Sequence, residues 1–171
     1  MKAEIIAVGS ELLLGDILNT NAQFLARQLA ELGIDIYYQG VVGDNPERLQ
    51  DVLATAVGRS EIIITTGGLG PTEDDLTKET ICNAVGAELV LDEEVLAEIT
   101  AFFEKIGGEM TDNNRKQAMV PKGATILHNE NGTAPGIVLE RAKQMIVMLP
   151  GPPSEMRPMF ENQVKPILAK K

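Results

Sequence analysis

The chain has 171 residues, 44% of them hydrophobic and 23% charged, and its 15 Lys and Arg against 25 Asp and Glu leave a net charge of −10. That length buries a full core as one domain, and the acidity argues against a nucleic-acid-coating or anionic-membrane surface, which carries a basic footprint. No apolar run reaches the roughly 20 residues that cross a bilayer. The opening MKAEIIAVGSE meets Gly and Glu too early for a signal peptide, and a lone cysteine, Cys82, allows no internal disulfide and fits a reducing cytoplasm.

Residues 4–8 (EIIAV) read as a buried strand stopped by Gly9. Thr20 and Gln23 have capping-box spacing, and Ala22, Leu25, Leu29 and Leu32 share one helical face that Gly33 ends. Residues 34–42 are rich in β-branched and aromatic types, which predicts a second strand. Asn45 as N-cap and Pro46 at the first helical position open a helix with Leu49, Val52, Leu53, Ala56 and Val57 on one face. Residues 61–66 form a third strand that runs straight into Gly67 and Gly68. A helix over 77–85 and a brief strand at 88–91 follow. Asp92 then caps a helix whose Val95, Ile99, Phe102, Phe103 and Ile106 align.

Beyond it the pattern predicts a short helix near 113–119 and a turn at Pro121–Gly123. Strand-like ATILH, IVLE and MIVML come next, then PGPPSEM and a terminal helix. No repeat or low-complexity tract interrupts this order. Strands alternating with amphipathic helices predict a three-layer α/β/α sandwich around a largely parallel sheet. IVLE and MIVML lie close enough for a hairpin, so IVLE should run antiparallel.

In open α/β sheets ligands sit beyond the carboxyl ends of the strands. Strand ends there lead into Gly9-Ser10-Glu11, Gly43-Asp44-Asn45, Gly67-Gly68-Leu69-Gly70 and Pro150-Gly151-Pro152-Pro153, and the antiparallel strand brings NGTAPG (131–136) to the same edge. Glycines at 67, 68 and 70 let backbone N–H groups approach an anion unhindered, although such a turn also serves plain topology. It is neither a Walker loop nor a dinucleotide fingerprint, because both spacings are missing. Glu73, Asp74 and Asp75 follow directly, with Asp44 and Glu11 at neighbouring strand ends. Carboxylates gathered this way repel unless a cation joins them, and Mg²⁺ binds through one or two of them plus substrate phosphates. Thr72-x-x-Asp75 equally fits a helix-start cap, and Asp44 equally fits a turn before Asn45-Pro46. His128, the only histidine, reads as a strand-end residue, Cys82 as packing, Ser154 as a cap of the last helix, and Lys165, Lys170 and Lys171 as a solvated helix end.

With these residues in view, the chain resembles the N-terminal domain of the competence/damage-inducible CinA family, a relative of the MoaB/MogA molybdopterin-binding fold. The resemblance covers essentially the whole chain through GSELLLGDILNTN (9–21), VVGDN (41–45), TTGGLGPTEDDLT (65–77), NRKQAMVPKGA (114–124), NENGTAPG (129–136) and LPGPPSEM (149–156). It implies a dimer or trimer with a pterin- or nucleotide-sized ligand at the edge described above. The functional acids of the molybdopterin relatives fall on Asp44 and Asp75, whereas Asp74 stands where those relatives more often carry a basic residue. That change favours a metal–phosphate ligand over the phosphate of molybdopterin. CinA-type domains are associated with divalent-metal-dependent hydrolysis of ADP-ribose-like pyrophosphates to AMP and a sugar phosphate. Longer members add a C-terminal amidase domain, absent from these 171 residues.

The resulting expectation is specific. Gly9, Asn21, Gly67, Gly68, Gly70, Thr72, Gly132 and Thr133 hold a small phosphorylated ligand. Asp44 and Asp75, helped by Glu11 or Asp74, hold Mg²⁺, Mn²⁺ or Co²⁺, and one of the two aspartates acts as base. Pro150, Gly151, Pro152 and Ser154 shape the base or ribose pocket. The alternative is a non-catalytic module that binds molybdopterin or a nucleotide, including one that senses nucleotide for a partner domain.

Overall fold

The computed structural model describes residues 1–171. Six strands form one sheet: β1 (Lys2–Val8), β2 (Asp35–Val42), β3 (Ile62–Thr66), β6 (Thr125–Leu127), β7 (Gly136–Arg141) and β8 (Gln144–Leu149), in the order β2-β1-β3-β8-β7-β6. β1, β2, β3 and β8 are parallel, while β7 runs antiparallel to β8 and β6 antiparallel to β7. The hairpin and the parallel core are therefore as the spacing predicts. Since β2 and β3 lie on opposite sides of β1, strand order reverses there, and a crevice opens between the carboxyl ends of β1 and β3.

Alternation along the strands feeds two apolar layers. Ala3, Ile5, Ile62, Ile64, Val147 and Leu149 pack against α2 (Thr20–Glu31) through Leu25 and Leu29, and against the C-terminal helical segment through Met156, Phe160 and Val164. Ile6, Val8, Ile63, Ile146 and Met148 face the other way, onto Leu49, Leu53 and Ala56 of α3 (Pro46–Val57) and Ile81 of α4 (Thr77–Val85). This is the three-layer sandwich. Burying these apolar side chains is the main source of stability, at roughly 1.5–3 kcal/mol for each large one.

Several local expectations need correction. Asn19, not Thr20, caps α2, its side chain accepting from the Ala22 N–H at 3.1 Å. Asn45 caps α3 as predicted, accepting from Arg48 N–H at 3.0 Å. A short helix, α1 (Ser10–Leu14), occupies what reads as a loop. The strand at 88–91, β4 (Leu89–Leu91), pairs with β5 (Met119–Pro121) in a separate two-stranded sheet. The helix expected near 113–119 is split into α6 (Asp112–Arg115) and a 3₁₀ turn over 116–118, because residues 119–121 leave to make that pairing. α5 (Glu93–Lys105) buries Val95 and Ile99 but ends before Ile106, which stays exposed. The terminal helix runs as α7 (Pro153–Met159), a π turn over 160–164 and α8 (Lys165–Leu168); Pro158 and Pro166 each withhold a donor from the ladder on either side of that turn. Lys165 is no free helix end, since its ammonium donates to Gln28 Oε1 at 2.7 Å and Glu31 Oε2 at 2.8 Å.

Near the other end of the strands one charge is buried. Glu4 on β1 is 2% exposed and receives Arg59 Nη2 at 2.6 Å, Arg59 Nε at 3.0 Å and the Ser60 hydroxyl at 3.1 Å. The guanidinium also lies 3.5 Å from the centre of the Tyr38 ring. Both carboxylate oxygens that burial strips of water thus regain a donor, which is what a buried carboxylate requires.

Candidate ligand-binding site

β3 delivers the glycine loop to the crevice, and Gly67 and Gly68 are required there. Gly67 has φ 105° and packs on the Val8 carbonyl so closely that a Cβ would overlap it; Gly68, at φ 69°, lies equally close over the Thr77 hydroxyl. The Gly67 N–H is taken by the Leu149 carbonyl at 3.0 Å, which ties the loop to the end of β8. The N–H groups of Gly68, Leu69 and Gly70 find no acceptor within the chain. Three successive free donors beside the start of α4 make an anion cradle.

A second network fixes the neighbouring loops. Asn21, on the first turn of α2, donates its amide to Thr66 Oγ1 at 2.9 Å and to the Gly151 carbonyl at 2.7 Å, and Thr66 donates to the Pro150 carbonyl at 3.0 Å. Asn21 Oδ1 is buried and receives no donor from the chain. Together these loops enclose a cavity of about 870 Å³. It is lined by Gly9, Glu11, Asn21, Asp44, Gly67, Gly68, Gly70, Thr72, Asp74, Asp75, Gly132, Thr133, Pro150, Gly151 and Pro152. Ser154 lies outside this lining; it is exposed, makes no cap, and uses its carbonyl to accept from the Asn131 amide at 2.9 Å.

Two acids of the cavity are each held by one oxygen. Asp44 Oδ2 accepts from Ser10 N–H at 2.9 Å while the Asp44 N–H donates to the Ser10 hydroxyl at 3.1 Å, a reciprocal link between two strand ends. Asp75 Oδ2 accepts from Thr72 N–H at 2.9 Å and from its hydroxyl at 2.5 Å. The Thr72–Asp75 pair therefore forms, but it closes a loop; α4 begins later, at Thr77, without a side-chain cap. Close approach of glycine accompanies acid three times, with Gly9 against the Glu11 carboxylate, Gly70 against Asp75 and Gly132 against Glu155.

The lining contains five carboxylates, Glu11, Asp44, Asp74, Asp75 and Glu155, and no Lys, Arg or His. None of the five belongs to an ion pair. Two lysines stand just behind. Lys116 donates to the Thr72 carbonyl at 3.1 Å and to the Asp75 carbonyl, and buried Lys78 donates to the Lys116 carbonyl at 2.7 Å. Burial lowers the Lys78 pKa to about 8, against the raising effect of Glu79. Nowhere do three His, Cys, Asp or Glu side chains gather to hold a metal by themselves. The donor set suits an ion that keeps waters and takes further oxygens from a ligand's phosphates, as Mg²⁺ does, and does not suit an all-protein cage. Burial pushes the Cys82 thiol up to about 11, as befits packing and not a nucleophile. His128 follows β6 and pairs with Glu98 at 2.7 Å, away from the cavity.

Among the cavity residues that sequence reasoning missed are Asn19 and Thr20 at the start of α2, Thr66, Phe102, Gln117 and Glu155. Glu155 was legible as the acid next to Ser154. Gln117 and Phe102 carried no signal, because the folding of α5 and the 3₁₀ turn across the opening is a tertiary event.

Fold and cavity define an open α/β domain whose candidate ligand site lies at the reversal of strand order. Residues 4–170 match the family described as "Probable molybdopterin binding domain", and the chain belongs to it. It is 57% identical over 170 residues to a protein of Bacillus subtilis strain 168 named as competence-damage inducible, and 58% identical over 171 residues to the like-named protein of Thermoanaerobacter pseudethanolicus. Those matches cover 99% and 100% of this chain but 41% of each relative's length. A crystal structure of the protein CinA, of unknown function, from Thermoplasma acidophilum superposes with TM-score 0.89 at 34% identity, covering 97% of both chains. The molybdopterin biosynthesis enzyme MoaB of Thermus thermophilus shares the fold at TM-score 0.61 and 18% identity, covering 99% of this chain and 97% of its own. The CinA resemblance read from the motifs and the MoaB/MogA-like fold both hold.

Proposed function

We propose that the cavity binds a nucleotide pyrophosphate such as ADP-ribose and, with a divalent cation, hydrolyses it to AMP and a sugar phosphate. The observation that carries this reading is the pairing of three free backbone donors, at Gly68 to Gly70, with five carboxylates and no basic side chain. Peptide N–H groups attract phosphate, but five unpaired acids repel it, so a phosphorylated ligand fits only together with a cation. Asp44 and Asp75 are the ligands of choice, each having one oxygen fixed and the other unengaged by the chain. The ion, when bound, supplies charge neutralisation at the phosphates and activation of water. The chain's part is to orient: the glycine loop holds the phosphates, Gly132 and Thr133 contact the rest of the ligand, and an aspartate at the cavity accepts the proton of the attacking water.

Incubation with ADP-ribose and Mg²⁺, Mn²⁺ or Co²⁺ should release AMP, and Asp75→Asn should abolish release while the chain stays folded. Turnover untouched by both Asp75→Asn and Asp44→Asn would remove these roles. A second reading is favoured by the family description: non-catalytic binding of molybdopterin or a nucleotide, which predicts binding and no turnover with any metal. Association into a dimer or trimer, cytoplasmic location, and attachment to an amidase domain in a longer parent chain belong to the same proposal. No helix is long and apolar enough to cross a membrane.

A further inference from the structure

The cavity is much larger than a pyrophosphate, and part of its lining is chemically unlike the glycine loop. Phe102 is the only aromatic side chain in the lining. It also lines a second cavity of about 460 Å³ between α5 and the segment after β6, and Gly132 and Thr133 line both spaces. The two cavities therefore meet where Phe102 faces the 131–136 loop. Against Gly132 lies the Glu155 carboxylate, so tightly that a Cβ on residue 132 would overlap it. Asn129 fixes that carboxylate, its amide donating to Glu155 Oε2 at 2.7 Å and to the Ala134 carbonyl at 2.8 Å. Glu155 Oε1 accepts nothing from the chain. An acid positioned by a dedicated amide, with one oxygen free and no cation beside it, is arranged to receive a donor from a ligand. Burial raises the Glu155 pKa against the opposing Asn129 hydrogen bond, so water does not fully serve the carboxylate.

Resting on the nucleotide reading above, we propose that Glu155 selects the ligand's base: an amino-substituted heterocycle stacks on Phe102 and donates its exocyclic N–H to Glu155 Oε1. The glycine loop then takes the phosphates. A carboxylate in this place accepts from an amine and repels a carbonyl oxygen, so adenine is accepted and hypoxanthine, with oxygen in place of the amine, is refused. Sites built around a substrate N–H reject analogues lacking it far more strongly than apolar pockets reject a change of size.

AMP and IMP, which differ at the C6 group and in the N1 proton that goes with the oxo form, and are not themselves split by the reaction, are the probes. Their dissociation constants are measured by calorimetry with Mg²⁺ present, beside turnover of ADP-ribose and of its inosine analogue. Wild type should favour the adenine compound by about tenfold or more. Glu155→Gln, whose amide both donates and accepts, should bring that ratio to about one or invert it. Phe102→Leu should weaken both compounds alike, by about tenfold, through lost stacking. If AMP binds and ADP-ribose turns over, yet the adenine preference is missing or survives Glu155→Gln unchanged, the base-selecting role is overturned and the hydrolase stands. If neither compound binds nor turns over, both are overturned.

Discussion

The molecule treats its acids in two opposite ways at two ends of the same sheet. At Glu4 a single buried carboxylate meets a guanidinium, a hydroxyl and almost no solvent, and Arg59 in turn lies over the Tyr38 ring. At the carboxyl ends of the strands five carboxylates share a cavity without one ion pair. The chain holds 15 Lys and Arg, so partners were not lacking; they were kept out of the lining, with Lys116 turned to backbone carbonyls behind it. An acid that has everything it needs is architecture. Acids left wanting a cation, beside free peptide donors, are set out for a ligand.

Substitutions at the two ends test that contrast. The largest effect should come from Asp75→Asn, which leaves the Thr72 hydrogen bonds an acceptor but removes the charge: AMP release should fall by about a hundredfold or more, while the urea midpoint barely moves, within about 0.5 kcal/mol. Arg59→Ala should do the reverse. It strands the buried Glu4 charge, so the urea midpoint should drop steeply while turnover per folded molecule stays at the wild-type value, and exchanging both partners together, Glu4→Gln with Arg59→Met, should recover much of the loss. Equal damage to activity from Arg59→Ala and Asp75→Asn would erase the distinction. Gly68→Ala falls between the two roles, because the added methyl meets Thr77 and the backbone is left-handed; about 1–3 kcal/mol of strain should appear in thermal unfolding together with weaker AMP binding.

Two smaller effects depend on pH. Lys78 has a folded pKa of about 8, below its ordinary 10.5, so folding expels its proton between those values. Its contribution to stability is complete above the ordinary value and lost as pH falls through about 8. Urea midpoints should therefore rise in wild type relative to Lys78→Met as pH is raised from 7 toward 10.5. Glu155 has the opposite sign. Its folded pKa is raised, so its contribution is complete below the ordinary 4.5 and lost as pH rises through the folded value. Glu155→Gln should match wild type near pH 4 and gain a small margin by pH 7.

Most of the sandwich could be read directly from periodicity. α3 is a clear case, since Asn45, Pro46 and five aligned apolar residues all specify the same element, and the helix forms with that cap and that face. The strand ends carrying Gly9, Asp44, Gly67 and Gly132 converge because the sheet topology leaves them no other edge. What could not be read was anything decided across distance. β4 looks like a member of the main sheet, and residues 119–121 like a helix end and a turn, until the two segments pair with one another. Thr72 and Asp75 carry a capping spacing, yet their carbonyls accept from Lys116, 41 or more residues away in sequence, and the helix starts only at Thr77. Phe102 belongs to the apolar face of α5 by spacing and to the cavity by packing, and spacing alone does not choose.

The leaning of carboxylate on glycine at Gly9 and Glu11, Gly70 and Asp75, and Gly132 and Glu155 has an evolutionary corollary. A methyl on any of these glycines would push the neighbouring carboxylate aside, which a flexible side chain allows, but the acid would then leave the place it holds in the cavity. The two members of each couple are therefore linked in geometry: exchanging the glycine relocates the acid. A divergent descendant that has altered one member without the other will have changed the shape of its pocket before it has changed its chemistry.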